Sequence, residues 1–580
     1  MISYPIMAGP TAILGVWDGH DAGSAILVEG SLLAAANEER FTRRKLEVHF
    51  PEASIGFCLR QAGLRPDQVS RVALSTTDPS KAMTRWLPSL KEENYLLRRR
   101  KKLPDWATPY KRRFKFWVTS LRPNCLSRAL SSLYASKRLR AMGFRDFELK
   151  LVDHHLCHAH SAAVGSGLPT CLVVSLDGVG DGSCGGVWEW AEGPRAGRLR
   201  EVARLEAWAS LGIFFETVTH LMNFREVEDE GKVMTLADYA CPVPDADNPM
   251  LRMFTVEDLR LASPLSRRSA QVELERLAWR FPADQFAFMA HRTVEVNVLE
   301  LFRQAMAKTG MKDVAYAGGI AANVKVNRLI REKLGVRSLF VFPHMGDGGL
   351  AVGGAWALAS ELGVPCEPLG SVFLGPGYAD EEIERLAAAE RGIILEKVAS
   401  PAKTAAGLIA SGEAVFWFQG RMEYGPRALG ARSILARPDS LPLKDSLNLR
   451  LKRRAWHQPF GPSMLACEAS RLLEEYRDAP NPYMTVAYMV KKDCRGSLAG
   501  VISADGTCRP QMVPEDDSPY SHLLQELRRL TGLGAVLNTS FNRHGEPIVC
   551  SPEDAFRAFS QAAVDHMVIG SFLAKKAGAP

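Results

Sequence analysis

Two histidines four residues apart form the clearest candidate for a metal site in this sequence. His154 and His158 lie in the segment DHHLCHAH, and seven consecutive positions there hold four of the thirteen histidines of the chain. On a helix, a spacing of four places both imidazoles on one face, about one turn apart, which suits two ligands of one metal ion. A pH-sensitive surface helix is the alternative that this pattern leaves open.

A third ligand should be a hard oxygen, and Asp347 is the best candidate. It lies in PHMGDGG, a tight turn that precedes a helix-like run of small residues. Two histidines and one carboxylate leave coordination positions open and suit Fe(II), with Zn(II) or Mn(II) less favoured. A metal with open coordination positions can bind and polarise a substrate, whereas a structural metal has none, so the sequence predicts a catalytic metal.

Two glycine-rich segments, DGVGDG and GGIAAN, are candidates for binding a nucleotide. The first closely follows a β-branched apolar strand, where glycine N–H groups can approach phosphate and an aspartate can hold Mg²⁺ with ATP. The second can admit a ribose or an adenine against its backbone. An ordinary hairpin turn is the alternative for the first segment. The candidate residues are Asp177, Gly178, Gly180, Gly318, Gly319 and Asn323.

An anion pocket is predicted further along the chain, where GRMEYGPRALGARS carries three arginines in a Gly/Pro-rich turn. Guanidinium groups bind phosphate oxygens bidentately, and surface charge is the alternative explanation. A lysine shortly downstream and the short polar side chains of NTSFN could complete such a pocket. The candidates are Arg421, Arg427, Arg432, Lys452, Asn538, Ser540 and Asn542.

These residues need a rigid scaffold, and the apolar pattern predicts a duplicated one. Residues 12–33 read as a strand, a Gly/Asp turn and a second strand, and residues 171–190 repeat this pattern. A further strand at 314–317 ends in two glycines before a helical segment. Repeated hairpins with Asp- and Gly-rich turns are typical of a duplicated nucleotide-binding α/β fold.

The length of 580 residues predicts two or three domains. A Gly/Pro-rich segment, LGPGY at 374–378, resembles a linker, and a different α/β region follows it. We therefore divide the chain into residues 1–372 and 373–580. Residues 80–150 read as a largely helical insertion in the first part.

Composition favours a cytoplasmic protein. The eleven cysteines are scattered without a CxxC pair, which argues against a disulfide framework and fits a reducing compartment. No run of eighteen uncharged apolar residues occurs, so we predict no membrane span. The first seventeen residues lack the basic start of a signal peptide, and we interpret them as strand.

The insertion contains an unusual concentration of positive charge. Residues 98–140 hold fourteen Lys or Arg and one acid, Asp105, and the segment WATPYKRRFKFW interleaves aromatic with basic residues. Such a pattern can stack on and neutralise RNA. The interpretation we favour is amphipathic helices whose aromatic side chains enter the core while the Lys and Arg stems cover its edge.

Nine motifs together resemble the O-carbamoyltransferases of the NodU/CmcH type, and the resemblance spans nearly the whole chain. The motifs are GHDAGSA, NEERFTRRK, DHHLCHAHSA, DGVGDG, EGKVM, GGIAANVKVN, GRMEYGPRALGARSIL, DGTCRPQ and LNTSFNRHGEPIV. The resemblance implies an N-terminal domain of the actin/sugar-kinase (ASKHA) class and a C-terminal domain similar to YrdC. Gly23, where serine is common, and Ser503-Ala504, where histidine is often found, depart from the family pattern.

The resemblance also implies a reaction in two steps. The C-terminal pocket would bind carbamoyl phosphate and ATP and make carbamoyl adenylate, which the N-terminal metal site would deliver to a hydroxyl of a small-molecule natural product, as in antibiotic biosynthesis. The family metal ligands fall on His154, His158 and Asp347. The family pattern adds acceptor-side residues at His20, Lys45 and Asp18, a nucleotide contact at Lys232, and a pocket residue at Arg509.

Two alternatives come from other classes of protein. The first is an RNA-binding or tRNA-modifying threonylcarbamoyl transferase-like protein, although we consider a nucleic acid partner unlikely. The second is a hydrogenase-maturation-type carbamoyltransferase, but that family usually carries CxxC zinc fingers, which are absent from this sequence. The sequence specifies neither the acceptor nor whether the protein is a monomer or a homodimer.

Overall fold

The structure is a computed structural model that describes residues 11–193, 197–390, 392–476 and 480–576. These residues are organised by three mixed β-sheets of five, five and eight strands. The two five-stranded sheets belong to the N-terminal part of the chain, and the eight-stranded sheet belongs to the C-terminal part. The predicted α/β class is therefore confirmed.

The first sheet contains β1 (Ala12–Trp17), β2 (Gly23–Val28), β3 (Ser31–Asn37), β4 (Arg71–Ser75) and β5 (Glu148–Val152). Its strand order is β3-β2-β1-β4-β5. The hairpin predicted near the start of the chain is present, with Trp17 of β1 opposite Gly23 of β2, but a turn at Glu29 and Gly30 divides the predicted second strand into β2 and β3. On the other side of β1, β4 and β5 continue the sheet in parallel orientation.

The second sheet contains β6 (Thr170–Gly180), β7 (Ser183–Ala191), β8 (Arg198–Glu206), β11 (Asp313–Ala317) and β12 (Ser338–Val341), while β9 (Thr255–Glu257) and β10 (Arg260–Ala262) form a separate hairpin. Its order is β8-β7-β6-β11-β12, with three antiparallel strands followed by two parallel ones. This arrangement repeats that of the first sheet. The duplicated halves expected of an actin/sugar-kinase-like domain are therefore confirmed.

The helices of this part are α1 (Glu39–Thr42), α2 (Glu52–Gln61), α3 (Pro79–Trp86), α4 (Pro88–Arg98), α5 (Thr108–Thr119), α6 (Cys125–Ala141), α7 (His154–Ser166), α8 (Leu211–Leu221), α9 (Glu230–Leu236), α10 (Arg267–Arg280), α11 (Ala283–Thr309), α12 (Val324–Lys333) and α13 (Leu350–Leu362). Both α7 and α13 lie between the two sheets. A Cβ atom at Gly353 of α13 would come within 1.9 Å of the Cys157 carbonyl oxygen of α7. Glycine at this position therefore lets the start of α13 approach the histidines of α7.

The insertion between β4 and β5 consists of helices α3 to α6, and α5 has an unexpected orientation. Three of its four aromatic side chains face solvent, with Tyr110 66% and Trp117 53% exposed, while Phe116 packs against Trp208. Two of its basic side chains face the protein, since Arg112 lies 3.1 Å from the carboxylate of Glu226 and Lys115 is only partly exposed, whereas Lys111 and Arg113 are exposed. Our interpretation of aromatic side chains in the core was wrong, because acidic residues of the second half attract the basic face of the helix.

The third sheet contains β13 (Ile393–Lys397), β14 (Val415–Phe418), β15 (Arg432–Ala436), β16 (Gly461–Leu465), β19 (Gln511–Val513), β20 (Ala535–Ser540), β21 (His566–Ile569) and β22 (Phe572–Lys576), and β17 (Tyr488–Met489) pairs separately with β18 (Thr507–Cys508). Its order is β13-β22-β21-β14-β15-β20-β16-β19. The central strand β14, VFWF, is buried on both faces, with Phe416 in one hydrophobic cluster and Trp417 in another. A continuous apolar run is what a strand covered on both sides requires.

Helices cover both faces of the third sheet. They are α14 (Asp380–Ala387), α15 (Pro401–Ala410), α16 (Leu441–Ser446), α17 (Ala469–Leu472), α18 (Pro519–Thr531) and α19 (Pro552–Ser560). On one side, α15 and α18 pack around Trp417, and on the other side α19 packs around Phe416. The C-terminal part thus has two hydrophobic cores of its own.

The two parts are joined by arginines that bind backbone carbonyls. Arg40 donates to the Gly425 carbonyl at 2.8 Å, and Arg43 donates to the carbonyls of Pro547 and Ile548, each at 2.7 Å. Hydrogen bonds from a charged donor contribute about 1.5–3 kcal/mol each when well formed. These contacts fix the C-terminal sheet relative to the first half of the N-terminal part.

Two further findings concern membrane-spanning helices and disulfide bonds. Within the described ranges, no helix combines the length and the apolar character needed to cross a membrane. All eleven cysteines lie within those ranges, and none of them forms a disulfide bond.

Candidate functional site

Helix α7 carries the two histidines of the predicted metal site. It begins at His154, where the Asp153 carboxylate accepts hydrogen bonds from the backbone N–H groups of His155 at 2.9 Å and Leu156 at 3.1 Å. This N-cap fixes the first turn of the helix. The ring centroids of His154 and His158 lie 4.9 Å apart on one face, as their spacing predicts.

Two carboxylates face these histidines. The Nε2 atom of His154 lies 3.3 Å from Asp177 Oδ2 and 3.5 Å from Asp347 Oδ1, and the Nε2 atom of His158 lies 3.7 Å from Asp347 Oδ1. One ligand atom from each of the four residues lies within 4.8 Å of the others. The sequence analysis placed Asp347 here but assigned Asp177 to a nucleotide turn, so the structure adds Asp177 as a fourth candidate ligand.

The geometry of these four side chains fits a divalent ion. The Nε2 atom of His158 is buried and has no hydrogen-bond partner among the described residues. An orphaned buried nitrogen is costly unless something binds it. Two imidazole nitrogens with carboxylate oxygens form a donor set suited to Fe(II), Mn(II) or Zn(II).

Neighbouring polar groups orient the first histidine. The hydroxyl of Thr76 lies 2.9 Å from Nδ1 of His154, which leaves Nε2 directed at the carboxylates. The Asp181 carboxylate accepts hydrogen bonds from the backbone N–H of His154 at 2.9 Å and from that of Thr77 at 2.8 Å. The start of α7 is thereby tied to the loop that follows β4.

Electrostatics make the cluster attractive to a cation. Burial opposes protonation of His154, but the carboxylates of Asp347 and Asp177 outweigh it and raise the pKa of His154 to about 9. Burial likewise opposes ionisation of Asp177, yet the neighbouring histidines His154 and His158 hold its pKa well below the usual range. The carboxylates are therefore negative at neutral pH and available to a positive ligand.

His20 is the acceptor-side candidate that lies nearest to this cluster. Its Nδ1 atom lies 3.4 Å from Asp347 Oδ2, and 34% of its side chain is exposed, compared with 9% for Asp347. Its Nδ1 atom has no hydrogen-bond partner among the described residues. His20 is thus open to an entering hydroxyl compound in a way that the buried histidines are not.

Asp18 has a different environment from His20. It is fully buried, and both of its carboxylate oxygens accept hydrogen bonds from Arg85 at 2.9 Å. Burial alone would raise the pKa of Asp18, but Arg85 and Lys81 hold it well below the usual range. Because a strongly acidic, fully paired carboxylate is a poor base, we do not assign proton transfer to the acceptor-side candidate Asp18.

The first glycine-rich segment is part of a strand, which corrects our expectation of a phosphate turn. β6 runs through Asp177 and Gly178 to Gly180, and positive φ angles begin only at Asp181. A Cβ atom at Gly180 would lie 2.2 Å from the ring of His154. The glycine therefore makes room for a candidate metal ligand.

The second glycine-rich segment forms a turn beside the same cluster. Gly318 has a φ of 97°, and a Cβ atom there would lie 2.2 Å from the Leu176 carbonyl oxygen. The N–H of Gly319 donates to Asp177 Oδ1 at 2.6 Å, and Asn323 caps α12. Asp177 consequently offers one oxygen to this turn and the other to the histidines.

Lys232 and Lys45 lie at the boundary between the two parts of the chain. Lys232 forms an ion pair of 2.8 Å with Asp229. Burial lowers the pKa of His457 in the C-terminal part, a hydrogen bond with the backbone of Lys232 raises it, and the charge of Lys232 lowers it. Lys45 forms an ion pair of 2.7 Å with Glu228 and contributes, after burial and Arg454, to the lowering of the pKa of Lys452. Both lysines therefore face the C-terminal part as well as their own.

Two of the three arginines in the predicted anion pocket bind the main chain instead. The guanidinium of Arg421 donates to three carbonyls, those of Leu33, Leu374 and Gly375. That of Arg432 donates to four carbonyls, those of Pro376, Gln419, Gly420 and Ala431. Because these guanidinium groups bind main-chain carbonyls, we no longer assign Arg421 and Arg432 to the anion site.

The remaining arginines form a cluster without counter-charge. Among the described residues, the side chains of Arg427 and Arg509 make no ion pair and no hydrogen bond, and both Nε atoms are buried. Burial lowers the pKa of Arg427 to about 10, and burial together with Arg427 and Arg454 lowers that of Arg509. The sequence analysis assigned only Lys452 of the run KRR to the pocket, and the structure adds Arg454, whose Nε donates to Asn448 Oδ1 at 2.6 Å.

The polar residues predicted for this pocket lie around Lys452. Its Nζ atom is 2.7 Å from Asn542 Oδ1 and 3.3 Å from the hydroxyl of Ser540. Burial, followed by repulsion from Arg454, lowers the pKa of Lys452 well below the usual range. Asn538 donates to nearby acceptors, while its Oδ1 atom is buried without a partner within the described ranges.

One loop connects the cationic pocket with the metal-type cluster. It runs from Gly420 to Ser433, and its shape is held by Glu423, whose carboxylate accepts from the N–H groups of Leu429, Ala431 and Arg432. Tyr424 of this loop contacts the residue after Asp347, and Arg427 extends into the pocket cluster. The two candidate sites are therefore separated by a single loop.

Family models match both parts of the chain. The model described as carbamoyltransferase N-terminus matches residues 12–356, and the model described as carbamoyltransferase C-terminus matches residues 406–576. Both candidate sites fall within the matched ranges. The matches account for most of the chain.

Several proteins are similar along most of the sequence. Nodulation protein NolNO of Sinorhizobium fredii is 31% identical over 96% of this chain and 79% of its own length. Nodulation protein NolO of Bradyrhizobium diazoefficiens is 33% identical over 73% of this chain and 79% of its own length. An uncharacterized protein of Methanocaldococcus jannaschii is 34% identical over 78% of each chain. Among solved structures, HypF of T. kodakarensis covers 62% of this chain and 49% of its own, with 14% identity and a TM-score of 0.33.

Proposed function

This chain belongs to the carbamoyltransferase family, and on that premise we propose that it is an ATP-dependent O-carbamoyltransferase with two separate sites. Residues 373–580 activate the carbamoyl group, and residues 1–372 transfer it to a hydroxyl of a small molecule. One observation carries this proposal above all others. An unpaired cationic pocket and a His/Asp cluster of metal-binding type lie on either side of the loop 420–433.

Activation is assigned to the cluster of Arg427, Arg454, Arg509 and Lys452. Water first displaces phosphate from carbamoyl phosphate, and an oxygen of the resulting carbamate then attacks the α-phosphorus of ATP as pyrophosphate leaves. Both substrates are polyanions, and the four cations have no carboxylate partner among the described residues to compete with them. Guanidinium groups without counter-charge in a partly dry pocket bind phosphoryl oxygens strongly.

Transfer is assigned to the N-terminal cluster. The acceptor hydroxyl attacks the carbamoyl carbon of the adenylate, and AMP leaves with the bonding electrons. His20 takes the hydroxyl proton, a contribution of roughly 10²–10⁴-fold. The support for this role is its partly exposed position 3.4 Å from Asp347.

His154, His158, Asp177 and Asp347 would hold the divalent ion, with Fe(II) favoured and Zn(II) or Mn(II) as alternatives. Such an ion supplies positive charge where negative charge develops on the carbamoyl oxygen, and comparable electrostatic stabilisation is worth roughly 3–4 kcal/mol. Thr76 and Asp181 orient His154 for this purpose. The nucleotide turn at Gly319 shares Asp177 with the cluster, which supports binding of the adenylate nearby.

Carbamoyl adenylate hydrolyses readily, so its path between the sites should exclude water. The short connection through the loop 420–433 supports such a path. Lys45, an acceptor-side residue in the family pattern, and Lys232 would attract the phosphate of the intermediate as it passes, in competition with their ion-pair partners Glu228 and Asp229. These lysines are therefore assigned to transit.

The direct test is incubation of the purified protein with ATP and carbamoyl phosphate in the absence of any acceptor. We expect pyrophosphate release and a mass corresponding to carbamoyl adenylate, and neither should occur with ATP alone. ATP that stays intact between its α and β phosphates in the metal-loaded protein would contradict the proposal. Labelled carbamoyl phosphate distinguishes the adenylate from contaminating nucleotide.

A further inference from the structure

Three lysines of the insertion point toward the transfer site. The Nζ atom of Lys81 in α3 lies 3.4 Å from Asp18 Oδ1 and 4.1 Å from the ring centroid of Trp17. The Nζ atom of Lys91 in α4 donates to the backbone carbonyl of Asp18. For Lys115 in α5, burial and then Arg98 lower the pKa and Glu216 raises it, and repulsion from Lys81 is a smaller contribution. Lys81 and Lys91 thus meet at Asp18, and Lys115 adds positive charge to the same neighbourhood.

This place adjoins the metal-type cluster. The ring of Trp17, beneath Lys81, makes edge contacts with the rings of His154 at 6.0 Å and His20 at 6.4 Å. Asp347 is close enough to Lys81 to influence its pKa, after burial and nearer charges. An anion held by the lysines would therefore lie beside the position where the hydroxyl is expected to react.

Lys81 shares its ion-pair partner Asp18 with Arg85, so one carboxylate faces several cations. Asp18 is already engaged by both donors of Arg85, and Asp78 uses its carboxylate to cap α3. Among the described residues, neither Lys91 nor Lys115 has a carboxylate within ion-pair distance, in contrast to Lys111 one turn earlier in α5. The pocket thus contains more cations than its own acids can neutralise.

Keeping such amino groups away from bulk water is unfavourable. Lys91 and Lys115 are only partly exposed, and burial, with repulsion from neighbouring cations, lowers the pKa of each to about 7. A buried charge without a partner costs several kcal/mol, and proteins seldom retain lysine there without one. A pocket of this kind is stabilised when an anion enters it.

We propose that Lys81, Lys91 and Lys115 form a binding site for an anionic group, a phosphate, sulfate or carboxylate, carried by the acceptor that is carbamoylated. This inference rests on the proposed transfer function and defines its substrate class as an anionic hydroxyl compound. It also gives a role to the minority of positive charges in the insertion that face inward. The charges of Lys81, Lys91 and Lys115 interact with a bound anion instead of with solvent.

The same anion chemistry has a second source in the phosphate of the adenylate. The nucleotide turn around Gly318 and Gly319 belongs to the second half of the N-terminal part, whereas the three lysines belong to the insertion in the first half. Because the turn is tied to Asp177 while Lys81 and Lys91 lie at Asp18, we assign the turn to the adenylate and the lysines to the acceptor. Inorganic phosphate and AMP serve as probes that distinguish the two.

The experiment uses full-length protein carrying Arg427→Ala, which weakens the C-terminal anion pocket. Thermal unfolding and titration calorimetry with inorganic phosphate are measured at fixed ionic strength. We expect phosphate to raise the Tm, and Lys91→Met and Lys115→Met each to raise the phosphate Kd at least about tenfold. Lys111→Met, which removes an exposed lysine paired with Glu93 on the same helix, should leave the phosphate Kd unchanged.

The methionine variants should also fold well, because removing an uncompensated buried charge raises the Tm of the ligand-free protein. Equal phosphate responses in all variants, or no response in the parent, would overturn the proposal. A Lys115-dependent response to AMP but not to phosphate would overturn the assignment to the acceptor. Pyrophosphate release by the unmodified enzyme is measured separately, so failure of the carbamoyl-activating function is distinguished from failure of this site.

Discussion

The hydroxyl of Tyr424 donates a hydrogen bond to the backbone carbonyl of Gly348, with 2.6 Å between the two oxygens. Gly348 follows the candidate metal ligand Asp347, and Tyr424 lies three residues before Arg427 in the cationic pocket. The ring of Tyr424 also contacts His344 edge-on, with 4.8 Å between centroids. This hydrogen bond therefore couples the position of the loop that carries Arg427 to the position of Asp347.

The Tyr424→Phe variant should uncouple the two steps. Loss of the hydroxyl leaves the buried Gly348 carbonyl without this donor, at a cost of about 1–3 kcal/mol. We expect pyrophosphate release to continue while the yield of carbamoylated product per pyrophosphate falls. Tyr110→Phe, an exposed substitution in α5, is the control and should keep the parent ratio.

His154→Ala and His158→Ala should separate activation from transfer. Each variant loses a candidate metal ligand, so bound metal measured by mass spectrometry should fall strongly, and product formation should fall about 100-fold or more. Pyrophosphate release that depends on ATP and carbamoyl phosphate should persist. If both steps survive in both variants, the metal assignment is wrong.

Arg427→Ala should abolish pyrophosphate release because it removes a cation that has no other partner. Arg454→Ala should impair the same step, although the sequence alone did not single out this residue. The control is Arg450→Ala, which removes an exposed arginine from the same segment. Normal release in the Arg427 variant would refute the anion pocket.

Gly180→Ala should damage the metal site while leaving the fold intact. The added methyl group would lie 2.2 Å from the His154 ring, so the imidazole must move. Gly178→Ala two residues earlier meets only a side-chain atom at 3.8 Å and serves as the control. Metal content and circular dichroism of both variants provide the comparison, and equal metal content would contradict this role of Gly180.

Metal affinity should increase with pH up to about 9. In metal-free protein the pKa of His154 is raised to about 9 from an ordinary value of 6.5, so between these values a proton occupies the nitrogen that the metal needs. Below pH 9 each unit of pH should change the apparent Kd by about tenfold. Competition titrations at pH 7 and 8 measure the slope.

The same shift determines how the stability of the metal-free protein depends on pH. A raised folded-state pKa means that protonated His154 stabilises the fold fully below about pH 6.5, and this contribution is lost as pH rises through about 9. His154→Ala lacks the contribution. The difference in unfolding free energy between parent and variant should therefore shrink from pH 6 to pH 9.5.

Much of the scaffold could be predicted from the sequence because its signals are local. The hairpin at 12–28, the strand pair at 170–191 and the histidine helix each follow from apolar spacing and turn residues within a short window. Asp347 was identified because its turn directly precedes a helix of small residues. These patterns need no knowledge of distant parts of the chain.

The remaining features depend on contacts between distant residues. Asp177 meets His154 across 23 positions of sequence, and a glycine-rich strand resembles a phosphate loop until its partner is known. Arg421 resembles a phosphate ligand by type, but its donors are taken by the Leu33 carbonyl 388 positions away. The orientation of α5 likewise depends on acids such as Glu226, which local periodicity cannot reveal.

The contact between the N-terminal and C-terminal parts has a consequence for how the sequences of relatives can diverge. Arg40 and Arg43 reach across it to main-chain oxygens of Gly425, Pro547 and Ile548, which every residue type possesses. Substitutions opposite these arginines can therefore accumulate without loosening the joint, provided the chain path is kept. Replacing either arginine, in contrast, removes its hydrogen bonds, whichever residue types occupy the opposite positions in the C-terminal part.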